Sequence, residues 1–374
     1  MKVLFLIFHG FAEYNGISKK IHSQINAFKE NKCDTHLCYL KYEEDQSHTR
    51  YVDNDVIAHY DNSVIGKVKK RYCYGGIRDY IKANGFQLLY IRGFNNANPF
   101  LISLIKQIRK DGCKVVYEIP TYPYDGEYKQ ASRSMKMELF IDQQFRNKLG
   151  KALDYIVTFS NKSRIFNAPT IKISNGIDFS TIPLKNSLQN KSNELHLIGV
   201  AEVHLWHGFD RLIKGLIAYY KGRPTVNVYF HIVGFSFDDT LDKLKTLAIE
   251  NGIEKYVIFH GALYGDELNS IFDRMDMGVA SLGRHRSGIT NIKTLKNREY
   301  AARGLSFIYS EDDDDFDEMS YVFKVPADET PIDINRLVEF KKTVNIEPQE
   351  IRESIKNLSW TIQMKKVIDQ ISKE

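Results

Sequence analysis

Short apolar runs alternate with amphipathic stretches along this chain, and after a polar interruption the alternation restarts, which constrains the fold more than any other feature. Lys2 to Phe8 is an apolar run of strand length; a turn through Gly10 and Gly16 follows, and Ile17, Ile21, Ile25 and Phe28 then recur at helical spacing. Leu88–Ile91, Lys114–Ile119 and Tyr155–Phe159 read as further strands, with a helix over Pro99–Arg109. Strands apolar on both faces and separated by helices predict a parallel sheet covered on each side.

The Ser/Asn/Lys-rich stretch 184–193 breaks the pattern and reads as a linker. Beyond it strands are predicted at Leu195–Val200, Val226–Val233, Val257–Phe259, Met277–Ala280 and Ser306–Tyr309. Helices are predicted over Phe209–Tyr219, Leu241–Glu250, Asp266–Arg274 and around Glu299. The expected fold class is therefore α/β, with two doubly wound domains, residues 1–183 and 194–355, and a cleft between them. A helical tail over Ile351–Ile371, with an apolar stripe of Trp360, Met364, Val367 and Ile371, is expected to return as a C-terminal helix, residues 356–374, onto the first domain. A length of 374 residues suits two domains. In open sheets of this kind ligands settle beyond the carboxyl ends of the strands, so the loops there carry the search for function.

Several classes are excluded. No apolar stretch reaches the roughly 18 residues of a membrane span, and the start of the chain lacks the pattern of an export signal, so a cytoplasmic protein is expected. Cys33, Cys38, Cys73 and Cys113 have no metal-ligand spacing and read as reduced thiols. There is no GxxxxGK[ST] loop, and no GxGxxG follows the first strand, which argues against a P-loop ATPase or a dinucleotide dehydrogenase. The net charge of +5 does not point to nucleic acid. One basic run, Lys67, Lys69, Lys70 and Arg71 beside Tyr72, Tyr74 and Tyr80, reads either as a solvated face or as a contact for anionic lipid at the inner face of a membrane or for a phosphate-bearing acceptor.

Five segments carry a family resemblance. Ile173–Asp178 contains an Asn-Gly-Ile-Asp turn; Gly199–Ala201 is followed by His207–Ile213; His231–Gly234 and Val257–Gly261 end two strands; and Arg298–Ile308 joins a glutamate helix to the next strand. In this order and spacing the chain resembles the retaining GT-B glycosyltransferases of the family 4 type over nearly its whole length. The resemblance implies two Rossmann-like halves, a nucleotide diphosphate sugar as donor, a saccharide or lipid-linked saccharide as acceptor, and neither cofactor nor bound metal. It gives Glu299 the ribose hydroxyls, counts Gly16 and Gly234 among the donor contacts, and suggests a role in surface polysaccharide or glycoconjugate assembly.

Physical chemistry supports such a site independently. A helix start offers unpaired N–H groups and a partial positive charge to a diphosphate. Ser287 and Gly288 lead through Thr290 to a helix expected to begin near Lys293 or Thr294, with Leu295 in its first turn and with Lys293, Lys296, Arg284 and Arg286 as mobile charge. Without the resemblance, Glu299 would read as a surface ion pair with Arg298 or Arg303.

The sequence departs from the family pattern at three places. Asn291 stands where a first glutamate precedes Glu299 by eight residues, and an amide hydrogen-bonds a sugar hydroxyl without bringing charge. Glu202 and His207 replace an Arg and a Lys in the phosphate loop; His207 can still donate to a phosphate, and a metal reading of His204–His207 is set aside. Pro120 replaces a histidine in a loop rich in proline and tyrosine, which offers a stacking platform; there Glu118, Asp125 and Glu127 are the carboxylates expected to reach the cleft, Glu118 as a catalytic candidate with Asn291 and His207. The acidic run Glu311–Glu318 could coordinate Mg²⁺ but reads first as a solvated loop. The rival readings are a nucleotide-sugar-binding partner subunit without catalysis, and a GT-B epimerase or hydrolase.

Overall fold

The computed structural model describes residues 1–11, 16–128, 132–186, 193–222, 224–289 and 291–373. The chain divides into two compact units, Met1–Ser174 with Trp360–Glu374, and Asn175–Ser359. Among the described residues no helix is long and apolar enough to cross a membrane.

The first unit holds strands β1 (Lys2–Leu6), β2 (Asp34–Tyr42), β3 (His48–Val52), β4 (Asp55–Tyr60), β5 (Leu88–Arg92), β6 (Lys114–Ile119), β7 (Tyr155–Thr158), β8 (Arg164–Ile165) and β9 (Ala168–Lys172). Its helices are α1 (Gly16–Glu30), α2 (Val64–Tyr72), α3 (Gly75–Asn84), α4 (Pro99–Lys110) and α5 (Arg133–Ala152). The sheet order is β4-β3-β2-β1-β5-β6-β7-β9-β8, parallel from β2 through β9 and antiparallel at both edges. Alternation decides the two faces. Leu4 and Leu6 of β1 enter the core that α3 and α4 cover, whereas Val3 and Phe5 enter the core that holds Ile21, Ile25 and Phe28 of α1.

The second unit contains β10 (Glu194–Glu202), β11 (Asn227–Phe235), β12 (Val257–Gly261), β13 (Met277–Val279), β14 (Ser306–Tyr309) and β15 (Val322–Lys324). Helices α6 (Phe209–Tyr220), α7 (Thr240–Glu250), α8 (Gly265–Phe272), α9 (Leu295–Ala302), α10 (Ile334–Thr343) and α11 (Pro348–Ser354) connect and flank them. Its six strands are all parallel, in the order β12-β11-β10-β13-β14-β15. The second unit begins ahead of the polar stretch 184–193 because Ile177 is already buried in its core and Phe179 and Ile182 pack there; residues 187–192 lie outside the described ones.

The tail corrects one expectation. It is two helices, α11 and α12 (Trp360–Ile371), split at Lys356–Leu358. Ile351, Ile355 and Leu358 bury in the second unit's core, and Trp360, Met364, Val367 and Ile371 in the first unit's. Asn31 Nδ2 donates to the Thr361 carbonyl at 2.8 Å and ties α12 to the end of α1.

Candidate functional site

Three loops leave the carboxyl ends of β10, β13 and β14 and are stitched together by backbone bonds. The Leu282 N–H donates to the His207 carbonyl at 2.9 Å, Ser310 N–H to Ser281 at 3.0 Å, and Ile292 N–H to Asp312 at 3.1 Å. Gly208 makes the first crossing possible: its φ is +63°, and a Cβ there would stand 2.6 Å from the Gly283 nitrogen.

Five titratable groups meet on these loops. Glu311, just past β14, is wholly buried, and neither carboxylate oxygen has a hydrogen-bond partner among the described residues. Burial pushes its acid up to about 7, against the pull of Arg284 and Lys296. Lys296, in the first turn of α9, makes no ion pair among the described residues; burial brings its ammonium down to about 7, with Arg284 adding to the fall and Glu311 and Glu299 opposing it. His207 is 5% exposed, and its Nδ1 accepts the His204 N–H at 2.9 Å, which puts the ring proton on Nε2. Burial, then Lys296 and Arg284, hold that ring neutral, well below the usual histidine range. Arg284 stacks over Trp206 at 5.6 Å. Glu299, half-buried one turn into α9, pairs with Arg303 at 3.1 Å.

The start of α9 has no side-chain cap from its own N-cap residue. Thr294 occupies the N-cap position without making a capping bond, and its buried hydroxyl has no partner among the described residues. Among the described residues no side-chain bond to the first N–H groups of the helix is seen. Leu295 opens the helix, and Tyr300 docks it on the sheet by donating to the Val279 carbonyl at 3.1 Å.

Other expected contacts are committed elsewhere. Lys293 is 3% exposed and pairs with Asp314 and, at 3.0 Å, with Asp315, so it is not the mobile phosphate ligand expected of it. Arg286 is held by Asp210 at 2.7 Å and by Glu329 at 2.5 Å. The Ser287 hydroxyl turns back to the Arg284 carbonyl at 2.7 Å, and Gly288, at φ +71°, ends that short turn. Asn291 is exposed, and its backbone bridges Asp312; Thr290 lies outside the described residues. Glu202 pairs with His204 at 2.9 Å. Gly234 serves the sheet itself: a Cβ there would fall 1.7 Å from the Ala201 carbonyl oxygen of the neighbouring strand.

The acidic run is solvated only in part: Asp312, Asp314 and Glu318 are exposed, whereas Glu311 and Asp313 are buried. Asp313 is fully buried against Arg298, with Nη2 to Oδ1 at 3.0 Å, and Asp317 pairs with Lys324 at 2.9 Å. Asp313, Asp314 and Asp315 offer oxygens within 4.8 Å of one another, close enough for a cation, but Arg298 and Lys293 occupy that charge.

Glu118 in the first unit also departs from expectation. It is 0% exposed and accepts from Gln24 at 2.7 Å, Tyr90 at 2.5 Å and Arg92 at 2.7 Å, with Lys20 at 3.5 Å; a carboxylate so enclosed braces the sheet and does not reach a substrate. Gly16 opens α1. Asp125 is tied to Arg146 at 3.0 Å, and the side chain of Glu127 lies outside the described set. Pro120, Tyr124 and Tyr128 line a cavity of about 400 Å³ with His9, Arg92 and Phe94, at the carboxyl ends of β1, β5 and β6.

Glu311 is a residue of this candidate site that sequence reasoning did not single out. Its one local signal is position: it is the first charged residue after the strand Ser306–Tyr309.

No family model matches the sequence, and no curated protein matches it. Solved structures do. The chain is similar over 100% of its length to 99% of sucrose-phosphate synthase from Thermosynechococcus elongatus, with a TM-score of 0.67 at 13% identity. It is similar over 100% of both chains to HepE of Anabaena solved with UDP, with a TM-score of 0.65 at 13% identity. A lipopolysaccharide outer core galactosyltransferase, WaaB, aligns over 100% of this chain and 99% of its own, with a TM-score of 0.62 at 13% identity. What is shared at such identity is the fold: two Rossmann-like α/β units in one chain, the GT-B architecture of glycosyltransferases.

Proposed function

We propose that the chain is a retaining, nucleotide-sugar-dependent glycosyltransferase whose donor diphosphate docks at the amino end of α9. The observation that carries this reading is an ammonium without an ion-pair partner among the described residues, Lys296, beside a helix start that Thr294 does not cap. A diphosphate supplies what both lack, since helix N–H groups and a desolvated cation are each strong partners for phosphate oxygens. Arg284 adds charge, and His207 offers its Nε2 proton. Glu299 takes the ribose hydroxyls by exchanging its partner Arg303, and Glu311 with Asn291 receives hydroxyls of the donor sugar. HepE, solved with UDP and with UDP-glucose, makes a uridine nucleotide the first donor to try.

In the transfer, the bond from the sugar's anomeric carbon to the diphosphate oxygen breaks and an acceptor hydroxyl oxygen bonds on the same face. Its proton goes to the departing phosphate. The protein then needs no dedicated base; it orients the partners and stabilises charge growing on the diphosphate. The acceptor is a saccharide or lipid-linked saccharide of surface polysaccharide or glycoconjugate assembly, and no metal takes part.

Titration calorimetry with UDP and GDP tests the donor site. Lys296→Met is expected to weaken nucleotide binding by roughly 10- to 100-fold, the worth of a charge-assisted bond, and Glu299→Ala by about tenfold. Undiminished affinity in the double variant would sink the reading. Incubation with UDP- and GDP-sugars and an acceptor extract tests the reaction: transfer with the donor's anomeric configuration kept supports it, inversion overturns retention, and binding without turnover leaves a partner subunit.

A further inference from the structure

The first unit contains a cavity of about 540 Å³, lined among others by Phe8, Arg50, Lys67, Lys70, Tyr72 and Phe94. Its floor is unusual. Arg50 of β3 is 1% exposed, yet its Nε and Nη2 have no hydrogen-bond partner among the described residues, and its Nη1 reaches only the Ile7 carbonyl, at 3.4 Å. No carboxylate pairs with it among the described residues; the thiol of Cys38 and the ring of Phe8 are its neighbours. The β3–β4 register shifts between Arg50 and Tyr51, an irregularity of the kind that re-aims a side chain.

A guanidinium buried without a counter-charge is costly, and no carboxylate among the described residues of this unit offsets it. The surroundings add to the excess. Lys67 and Lys70 make no ion pair among the described residues, and the Lys70 ammonium lies 3.1 Å from His48 Nε2. Burial, then Lys67, Arg71 and Arg50, pull the Lys70 ammonium below its ordinary range. The carboxylate on the wall, Glu138, is already held by Arg71 at 2.9 Å.

We propose that this cavity binds a phosphate-bearing sugar, with Arg50 as its buried anchor and Lys67 and Lys70 completing the cradle. A guanidinium fork suits two oxygens of one phosphate, and lysines supply point charge around it. The volume falls in the range of small-molecule pockets and exceeds what a bare anion needs. Phe8 and Phe94, in edge contact at 5.3 Å, and Tyr72 give flat apolar walls against which a sugar ring can lie. The phosphate belongs either to a free sugar phosphate or to a lipid headgroup. The site shares no residue with the donor site, and its test reads binding and not transfer, so the two readings fail separately.

The full-length protein is titrated with glucose 6-phosphate, with inorganic phosphate and with glucose, and mixed with phosphatidylglycerol or phosphatidylcholine vesicles. Glucose 6-phosphate is expected to bind and raise the melting temperature, glucose not to, and the affinity is expected to fall as salt rises from about 50 to about 500 mM. Arg50→Met is expected to lose at least about tenfold in that affinity, keep its UDP affinity, and melt no lower than the wild type in the absence of ligand. Lys70→Gln provides a second reading, a several-fold loss, should Arg50→Met fail to fold. Displacement of glucose 6-phosphate by phosphatidylglycerol vesicles assigns the phosphate to a lipid, and its absence to a free sugar phosphate. Equal affinity of wild type and both variants for glucose 6-phosphate, binding of glucose as tight as that of glucose 6-phosphate, or binding of no phosphorylated probe overturns the proposal.

Discussion

Glu118 in the first unit and Glu311 in the second are the same side chain at comparable places, each wholly buried at the carboxyl edge of a mostly or wholly parallel sheet. Their surroundings are opposite. Burial pushes the Glu118 acid up, but Lys20 and Arg92, with the bonds from Tyr90 and Gln24, overcome that and hold it below the usual carboxylate range. Glu311 has the burial without a side-chain partner among the described residues, and burial raises its acid to about 7 against the pull of Arg284 and Lys296. A buried charge whose partners are all supplied by the fold is architecture. One whose partners are missing either carries a stability cost for nothing or waits for a ligand, and the neighbouring Lys296 and uncapped α9 favour the second.

The sharpest way to break this comparison is to remove each carboxylate from the free protein. Glu118→Ala leaves Arg92 and Lys20 buried without their counter-charge and is expected to cost about 3–5 kcal/mol. Glu311→Gln removes a charge that no side-chain bond among the described residues stabilises, and its cost is expected to lie within about 0.5 kcal/mol of zero or to be a gain. Urea unfolding followed by circular dichroism reads both. Equal losses would mean that Glu311 is as well satisfied as Glu118 and that the donor site has been misplaced.

The same contrast explains what the sequence could show. Strands such as Leu88–Ile91 and Ser306–Tyr309 were legible because burial on both faces demands unbroken apolar runs, a local signature. The antiparallel β2-β3-β4 extension was not: β3 is buried almost throughout, but its buried residues include the polar His48, Thr49 and Arg50, which leave no apolar run, and β4 pairs at the edge with Tyr60 alone buried. In the site, the helix of Glu299 and Lys296 could be placed from its own residues. The separate fates of Lys293 and Lys296 could not, since they depend on an acidic loop recruited from beyond the next strand, and that recruitment is also what hides Glu311.

A smaller effect comes from pH. Below about 7 Lys296 is protonated and Glu311 neutral; above it Lys296 loses its charge and Glu311 gains one. Both changes disfavour a diphosphate, so binding takes up protons on the alkaline side, and UDP affinity is expected to fall by about tenfold from pH 7 to 8. Calorimetry in buffers of different ionisation enthalpy counts the protons. Glu311→Gln, which retains only the lysine's share, should make the profile shallower, and a flat wild-type profile between about pH 6 and 9 would show that the pair does not face the ligand.

The smallest effect sharpens the comparison at the level of helix starts. In the first unit Asn98 caps α4 with bonds to the N–H groups of Phe100 at 3.0 Å and Leu101 at 2.9 Å, so Asn98→Ala is expected to cost about 1 kcal/mol. Thr294 holds the same position on α9 with no such bond, and Thr294→Val, which keeps the shape and deletes the idle hydroxyl, is expected to leave the free protein's stability unchanged within about 0.3 kcal/mol. At α4 the fold itself satisfies N–H groups of the first turn; if the proposed diphosphate docks at the amino end of α9 and the Thr294 hydroxyl joins it, Thr294→Val should lower UDP affinity a few-fold. A loss of stability at Thr294 equal to that at Asn98 would show that α9 is closed by its own cap.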